Sequence, residues 1–285
     1  MTDRGRLSFI SATYNCLNFT KEFIKSLSAT VCLDDHELII VDDGSTDGTR
    51  DYLRALKLSN LTLILNDENQ GFARNNNLGA ERANHEILCF LNNDLELTPG
   101  WLDPMLDGLR KLPSVGAIGN IQLNPRTSLI DHAGIFFDLA GRPAHARKNR
   151  KKIPPKEYSE WNAVTAACML IYKSQFDNLN GFDESYRNGS EDVDLCVRLR
   201  QLRLRNWVAN RSIIRHHISA SPGRHKYNDR NSQLFIRKWS GVTSQWGHDE
   251  WPSEYLARYA RRWWRFNGTK LLLALFLSLK KKLKP

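Results

Sequence analysis

Two rhythms alternate along the first half of the chain. Short, largely apolar runs, Leu7–Ala12, Leu38–Val41, Leu61–Leu65 and Glu86–Leu91, read as strands, and the four apolar residues of Leu38–Val41 as a buried parallel one. Between them apolar residues recur three or four apart: Phe19, Phe23 and Leu27, then Tyr52, Leu53 and Leu56, then a segment from Gly71 through Ala83. Pro99 begins a further helix carrying Trp101, Leu102, Met105, Leu106 and Leu109. Strands alternating with helices predict right-handed βαβ units around a parallel sheet. After Val115–Gly119 the rhythm is lost. Gln122–Lys156, rich in Pro, Gly and basic residues, reads as hairpins and loops with a mobile, positively charged flap. Ala163–Tyr172 and Trp207–Ile214 read as strands and Ser190–Leu202 as a helix.

The polar residues that interrupt this pattern gather at strand ends. Leu38–Val41 runs straight into Asp42-Asp43-Gly44-Ser45-Thr46-Asp47-Gly48. Open α/β sheets bind ligands beyond the carboxyl ends of their strands, where a fixed carboxylate can reach a base or a ribose hydroxyl. An acidic turn, with Ser45 or Thr46 capping the next helix, accounts for the same residues. The strand Cys89-Phe90-Leu91 ends in Asn92-Asn93-Asp94 at the same edge. There a carboxylate can hold Mg²⁺ or Mn²⁺ beside a diphosphate, with side-chain carbonyls from Asn92 and Asn93, or the segment is a polar turn. A third acidic cluster spans Gly181-Phe182-Asp183-Glu184 and Ser190–Leu195. Ser190 reads as an N-cap, which puts Glu191 and Asp192 in a first turn where the helix dipole favours ionised carboxylates. Those acids are either ordinary helix-start residues or a general base. His216-His217 closes the set, as a structural pair or with one ring completing a metal site.

Charge narrows the classes of partner. The chain of 285 residues carries a formal charge of +10, concentrated in Arg142–Lys156, Arg198–Arg215, Arg258–Arg265 and Lys280–Lys284. Such a balance suits a polyanionic ligand, a nucleic acid or an anionic membrane. No basic recognition helix or RNA-binding motif accompanies it, so no nucleic-acid partner is expected. Five cysteines without metal-ligand spacing read as reduced thiols. No apolar run near the N-terminus suits a secretory signal, and none approaches the roughly 20 residues of a spanning helix. Leu271–Leu279, between Trp263, Trp264 and Arg265 on one side and Lys280–Lys282 on the other, reads as a helix lying on a membrane surface. The simplest division is one domain over residues 1–246 and a basic, aromatic tail over 247–285.

Together these segments resemble the inverting glycosyltransferases of family 2, with their GT-A fold, in the rhamnosyltransferase-like, surface-polysaccharide branch. The residues carrying the resemblance are Ser11-Ala12-Thr13-Tyr14-Asn15, Val41–Gly48, Asn69–Ala73, Asn77-Leu78-Gly79, Phe90–Asp94, Gly181–Glu184, Glu191–Leu195 and His216, in order from about Leu7 to Ser221. The resemblance implies an α/β fold with a mainly parallel Rossmann-like sheet flanked by helices, followed by the basic helical tail. It implies that Ala12, Thr13, Tyr14, Asn15, Asp42, Asn77 and Asn93 line the nucleotide. Asp94, matching the last acid of an Asp-x-Asp element, would hold Mn²⁺ or Mg²⁺ with His216. Asp192 would deprotonate the acceptor hydroxyl, with Glu191 beside it. The chain departs from the pattern at Asn92, where the first acid of Asp-x-Asp is missing, leaving one formal charge fewer around a cation.

The activity implied is transfer of a sugar from a UDP- or dTDP-linked donor to a hydroxyl of a lipid-linked or growing glycan, at the cytoplasmic face of the cell membrane. The Arg142–Lys152 loop would close over the diphosphate and exclude water. A nucleotidyltransferase sharing the sheet-edge nucleotide site, or an inactive sugar-nucleotide-binding protein, are the competing readings.

Overall fold

The computed structural model describes residues 5–217, 227–260, 264 and 267–282. Trp263, Arg265 and the Ser219–Ser221 end of the resemblance lie outside the described residues. Strands β1 (Leu7–Thr13), β2 (Glu37–Asp42), β3 (Leu61–Leu65) and β4 (Ile87–Leu91) alternate with helices α1 (Leu17–Thr30), α2 (Thr49–Ala55) and α3 (Phe72–Glu81). β1 lies between β2 and β4, parallel to both, and β3 pairs parallel with β2. The runs carry apolar residues on both faces because alternate residues enter different cores. Ile10, Ile39, Val41, Leu88 and Phe90 join one cluster, while Leu7, Phe9, Leu38, Ile40 and Cys89 join the other. Helix α3 comes very close to β1, since a Cβ on Gly79 would stand 2.5 Å from Ile10 Cγ2.

The second half extends this sheet with antiparallel and crossing strands. In order come β5 (Leu95–Leu97), α4 (Leu102–Lys111), β6 (Val115–Leu123), β7 (Ile130–His132), β8 (Ile135–Phe137), β9 (Pro143–His145), β10 (Tyr158–Trp161), β11 (Cys168–Tyr172), α5 (Lys173–Asn178), α6 (Glu191–Gln201), β12 (Arg205–His216), α7 (Asn228–Tyr259) and α8 (Gly268–Lys282). Among the described residues the sheet has ten strands in the order β10-β12-β6-β11-β4-β1-β2-β3, with β5 beside β12 and β7 beside β6. β11 is antiparallel to both β4 and β6, and β12 is parallel to β6. The C-terminal ends of β1, β2, β4, β6 and β12 therefore share one edge, and the residues entering β11 meet them there.

Three local expectations change. The basic stretch after β8 is tied down and is not a free flap. Asn149 N–H donates to the Ile130 carbonyl at 2.8 Å, Lys148 pairs with Asp131 at 2.9 Å, and Arg147 N–H donates to Glu254 at 3.1 Å. Ser190 sits at the start of α6 with φ 77° and makes no side-chain cap. At α2 the first turn is held by Asp47, whose Oδ1 accepts from Thr49 N–H at 3.1 Å, and neither Ser45 nor Thr46 does this.

Helix α7 runs through the position where a tail was expected to begin. Trp246 lies inside it, and beyond that point Glu250 accepts from Asn162 and Glu254 from Arg147. Earlier in α7, Lys238 Nζ and Trp239 Nε1 reach the fully buried Asp194 of α6 at 2.6 and 2.7 Å. Arg198 completes that cluster at 2.6 Å. Three cationic or N–H donors around one carboxylate satisfy a charge that burial would otherwise make costly.

Candidate active site

At the β1–β2 end of the edge the acids build the turn. Asp42 is fully buried; its Oδ1 meets Arg50 Nε at 2.9 Å and accepts from Ser45 N–H at 3.1 Å. Thr13 Oγ1 donates to its Oδ2 at 3.5 Å. Asp43 accepts from the N–H groups of Gln70 at 2.6 Å and Gly71 at 3.0 Å, which pins the loop ahead of α3. Gly44 has φ 78°, and a Cβ there would stand 3.0 Å from the Glu68 backbone, so only glycine lets the two loops meet. Asn15, also left-handed at φ 54°, locks onto this turn. Its N–H donates to Ser45 Oγ at 2.7 Å, and its Oδ1 accepts from Thr46 N–H at 2.8 Å. Ala12, Tyr14 and Asn15 keep partial exposure on this rim, whereas Thr13 is buried.

Asn77 and Asn93 also serve the frame. Asn77 Nδ2 donates to the Phe182 carbonyl at 2.9 Å and its Oδ1 accepts from Phe182 N–H at 2.8 Å, joining α3 to the Gly181–Glu184 segment. Asn93 Nδ2 donates to Thr20 of α1 at 2.9 Å.

The β4–β12 end differs. Asp94, just beyond β4, and His216, the last residue of β12, place Oδ1 and Nε2 3.2 Å apart. Asp94 Oδ1 is buried and has no hydrogen-bond donor. Burial raises the Asp94 pKa, but His216 beside it outweighs that, and the net shift is downward. An ionised carboxylate and an imidazole nitrogen, both turned toward one point, suit a hard or borderline divalent cation. No group of three or more such ligands exists among the described residues. Ions of this class complete their shells with water and phosphate oxygens, so two protein ligands beside a diphosphate are enough.

Asp192, in the first turn of α6, is held at the same edge from the other side. Ala166 N–H, ahead of β11, donates to its Oδ2 at 3.1 Å, and its Oδ1 accepts from Val193 N–H at 2.8 Å. These donors fix the orientation of the carboxyl group, and the residue keeps partial exposure. Glu191 is buried and turned back into the loop, where it accepts from Gly189 N–H at 2.6 Å. The pair thus separates into an accessible acid and an acid that shapes the helix start. Two rings stand nearby: buried His132 and half-buried His145 meet edge to face at 5.1 Å, and desolvation pushes the His132 pKa well down and lowers that of His145.

Sequence reasoning missed Arg50, the partner of Asp42, and Gln122, which meets His216 Nδ1 at 2.8 Å. Arg50 lies in the helix that follows the acidic turn, a placement that could have flagged it. Gln122 gave no signal, because it falls where the apolar pattern stops.

Comparison with known proteins identifies the family and the fold. The family described as Glycosyl transferase family 2 matches residues 8–179, and one described as the N-terminal domain of galactosyltransferase matches residues 149–220. An O-antigen biosynthesis protein, RfbC, of Myxococcus xanthus is 31% identical over 70% of this chain, which spans only 16% of that protein. An N-acetylglucosaminyl-diphospho-decaprenol L-rhamnosyltransferase of Mycobacterium tuberculosis is 26% identical, over 76% of this chain and 78% of its own length. The crystal structure of GalNAc-T7 with UDP, GalNAc and Mn²⁺ superposes with a TM-score of 0.67 at 14% identity, over 89% of this chain and 52% of that one. The fold is GT-A, and the chain belongs to glycosyl transferase family 2.

Proposed function

We propose that the protein transfers a sugar from a UDP- or dTDP-linked donor to a hydroxyl of a lipid-linked or growing glycan, with inversion, in surface polysaccharide synthesis. The observation that carries this reading is that one sheet edge joins Asp192 to the Asp94–His216 pair: Asp192 accepts from Ala166 N–H, and the adjoining Ala167 carbonyl accepts from Asn92 N–H at 2.9 Å, two residues before Asp94. The Ala12–Asn15 rim, which Asp42 meets through Thr13, lines the nucleoside. Asp94 and His216 hold Mn²⁺ or Mg²⁺, which when bound supplies positive charge beside the leaving diphosphate. Asn92 in place of an acid leaves that site one charge short, so the cation depends more on the diphosphate for its ligands. Asp192 accepts the proton of the acceptor hydroxyl while its oxygen bonds to the anomeric carbon and the carbon–phosphate oxygen bond breaks. Glu191 keeps the start of α6 in place for that step.

The acceptor reading is supported by helix α8. Leu272, Leu275, Phe276 and Leu279 follow an i, i+3, i+4, i+7 spacing and are 70, 45, 61 and 62% exposed. Lys270, Lys280 and Lys281 flank this stripe, while Ala274 faces inward. No described helix is long and apolar enough to cross a membrane. An apolar stripe edged by lysines fits the surface of an anionic bilayer, here the inner face of the cell membrane. Removing Leu271–Pro285 is expected to abolish co-sedimentation with vesicles rich in anionic lipid, and unchanged sedimentation would count against the surface helix.

Incubation with UDP- and dTDP-sugars and a lipid-linked acceptor tests the reaction. Release of a nucleoside diphosphate with an inverted anomeric product is expected. Pyrophosphate release would indicate a nucleotidyltransferase, and tight donor binding without turnover an inactive binding protein.

A further inference from the structure

Behind His216 lies a row of polar side chains with no access to water. Asn120, Gln122, Cys168 and Ser212 are all fully buried in the sheet, on β6, β11 and β12. Asn120 Nδ2 donates to Ser212 Oγ at 3.3 Å and to Cys168 Sγ at 3.2 Å, which turns its Oδ1 toward Gln122. Gln122 Nε2 donates to that oxygen at 3.4 Å. The amide of Gln122 is thereby oriented, and its Oε1 faces His216 Nδ1 at 2.8 Å. A carboxamide oxygen only accepts, so Nδ1 carries a proton and Nε2 is the nitrogen left to ligate a cation. That nitrogen is the one facing Asp94 at 3.2 Å.

Buried amides cost desolvation and contribute only while fully connected, so an apolar strand would pack here more simply. What this row supplies is a direction for one imidazole. We infer that Gln122, oriented by Asn120, is the positioning residue that holds His216 in the tautomer able to ligate a divalent cation together with Asp94. The inference rests on the metal reading above. Outer hydrogen bonds of this kind fix ring orientation and raise ligand basicity, and losing one typically weakens metal binding about 10–100-fold.

The test is Mn²⁺ binding to the full chain, followed by electron paramagnetic resonance in the presence of UDP, with no sugar donor. Gln122→Met is expected to weaken Mn²⁺ about 10–100-fold, and Gln122→Glu, which keeps an accepting oxygen, to restore most of the affinity. A merely structural residue would behave otherwise: the buried charge of Gln122→Glu would lower Tm and Mn²⁺ affinity at least as much as Gln122→Met. That pattern, or wild-type affinity in Gln122→Met, overturns the inference. If Gln122→Met does not fold, Asn120→Leu carries the test, because it leaves Gln122 in place with its amide free to turn. Weaker Mn²⁺ binding is then expected, and unchanged binding overturns the inference. His216→Ala separates the two levels of the argument. If it binds Mn²⁺ as the wild type does, the metal site itself is misplaced. If it loses the ion while Gln122→Met keeps it, only the positioning role fails.

Discussion

At the β1–β2 end of the sheet edge, Asp42 is ion-paired with Arg50 and accepts from Ser45 N–H, while Asp43 accepts from Gln70 N–H and Gly71 N–H. At the β4–β12 end, Asp94 Oδ1 has no hydrogen-bond donor and faces only an imidazole, while Asp192 is oriented by two backbone N–H groups and keeps partial exposure. Asp42 and Asp94 are alike in residue type and in lying at the C-terminal end of a strand. The difference lies in what surrounds the oxygens. A carboxylate saturated by protein donors fixes a loop; one held but not saturated is available to a substrate proton or a cation.

The sharpest way to break this contrast is to change each kind of acid in turn. Asp192→Asn keeps the shape and removes the basic oxygen. Transfer is expected to fall about 10²–10⁴-fold, with nucleoside diphosphate binding unchanged when measured by calorimetry. Full activity would remove Asp192 as the base. Asp42→Asn should behave in the reverse manner. It leaves Arg50 facing a neutral amide and should cost about 3 kcal/mol of stability, read from the denaturant midpoint. Weakened nucleotide binding with unaltered stability would show that Asp42 faces the ligand directly, and the contrast would collapse.

A third carboxylate sharpens the comparison because it is neither saturated nor open. Glu250 on α7 is pushed up to about 7 by burial, which its bond from Asn162 and the charges of Arg200 and Lys281 only partly offset. Its protonated form is the better one in the folded protein. The stability associated with it is present below the ordinary carboxylate range and lost as pH rises through about 7. Melting curves between pH 5 and pH 8 should therefore fall by roughly 2 kcal/mol more for the wild type than for Glu250→Gln. Parallel curves would show that Glu250 is as well compensated as Asp42.

The first half of the fold was legible because its signals are local. β1, β2 and β4 are runs buried on both faces, β3 is a short and largely apolar run, and the helices between them repeat at short range. The second half hid its strands for a physical reason. Asn120 and Gln122 sit inside β6, so a strand that reaches Leu123 looked apolar only as far as Gly119. Strands β5 and β10 are short, and β10 shows no alternation of buried and exposed positions. The acids of the site could be named from motif and strand end, but their roles could not. Nothing in Asp42 or Asp94 as letters says that Arg50 stands beside one and no donor beside an oxygen of the other. Asn77 and Asn93 likewise read as ligand contacts, and their amides bridge elements of the frame.

The placement of β12 has a consequence for how the protein comes into being. It inserts between β10 and β6, and its last residue supplies the ring that faces Asp94. A nascent chain that has emerged as far as β11 already has the Ala12–Asn15 rim, Asp94 and Gln122, but no His216. Because the closing strand makes the longest-range pairings, it joins late on general grounds of loop closure. Synthesis thus delays pairing of Asp94 with His216 until the sheet is complete, and an unfinished or clipped chain lacks the pair on which the proposed chemistry depends.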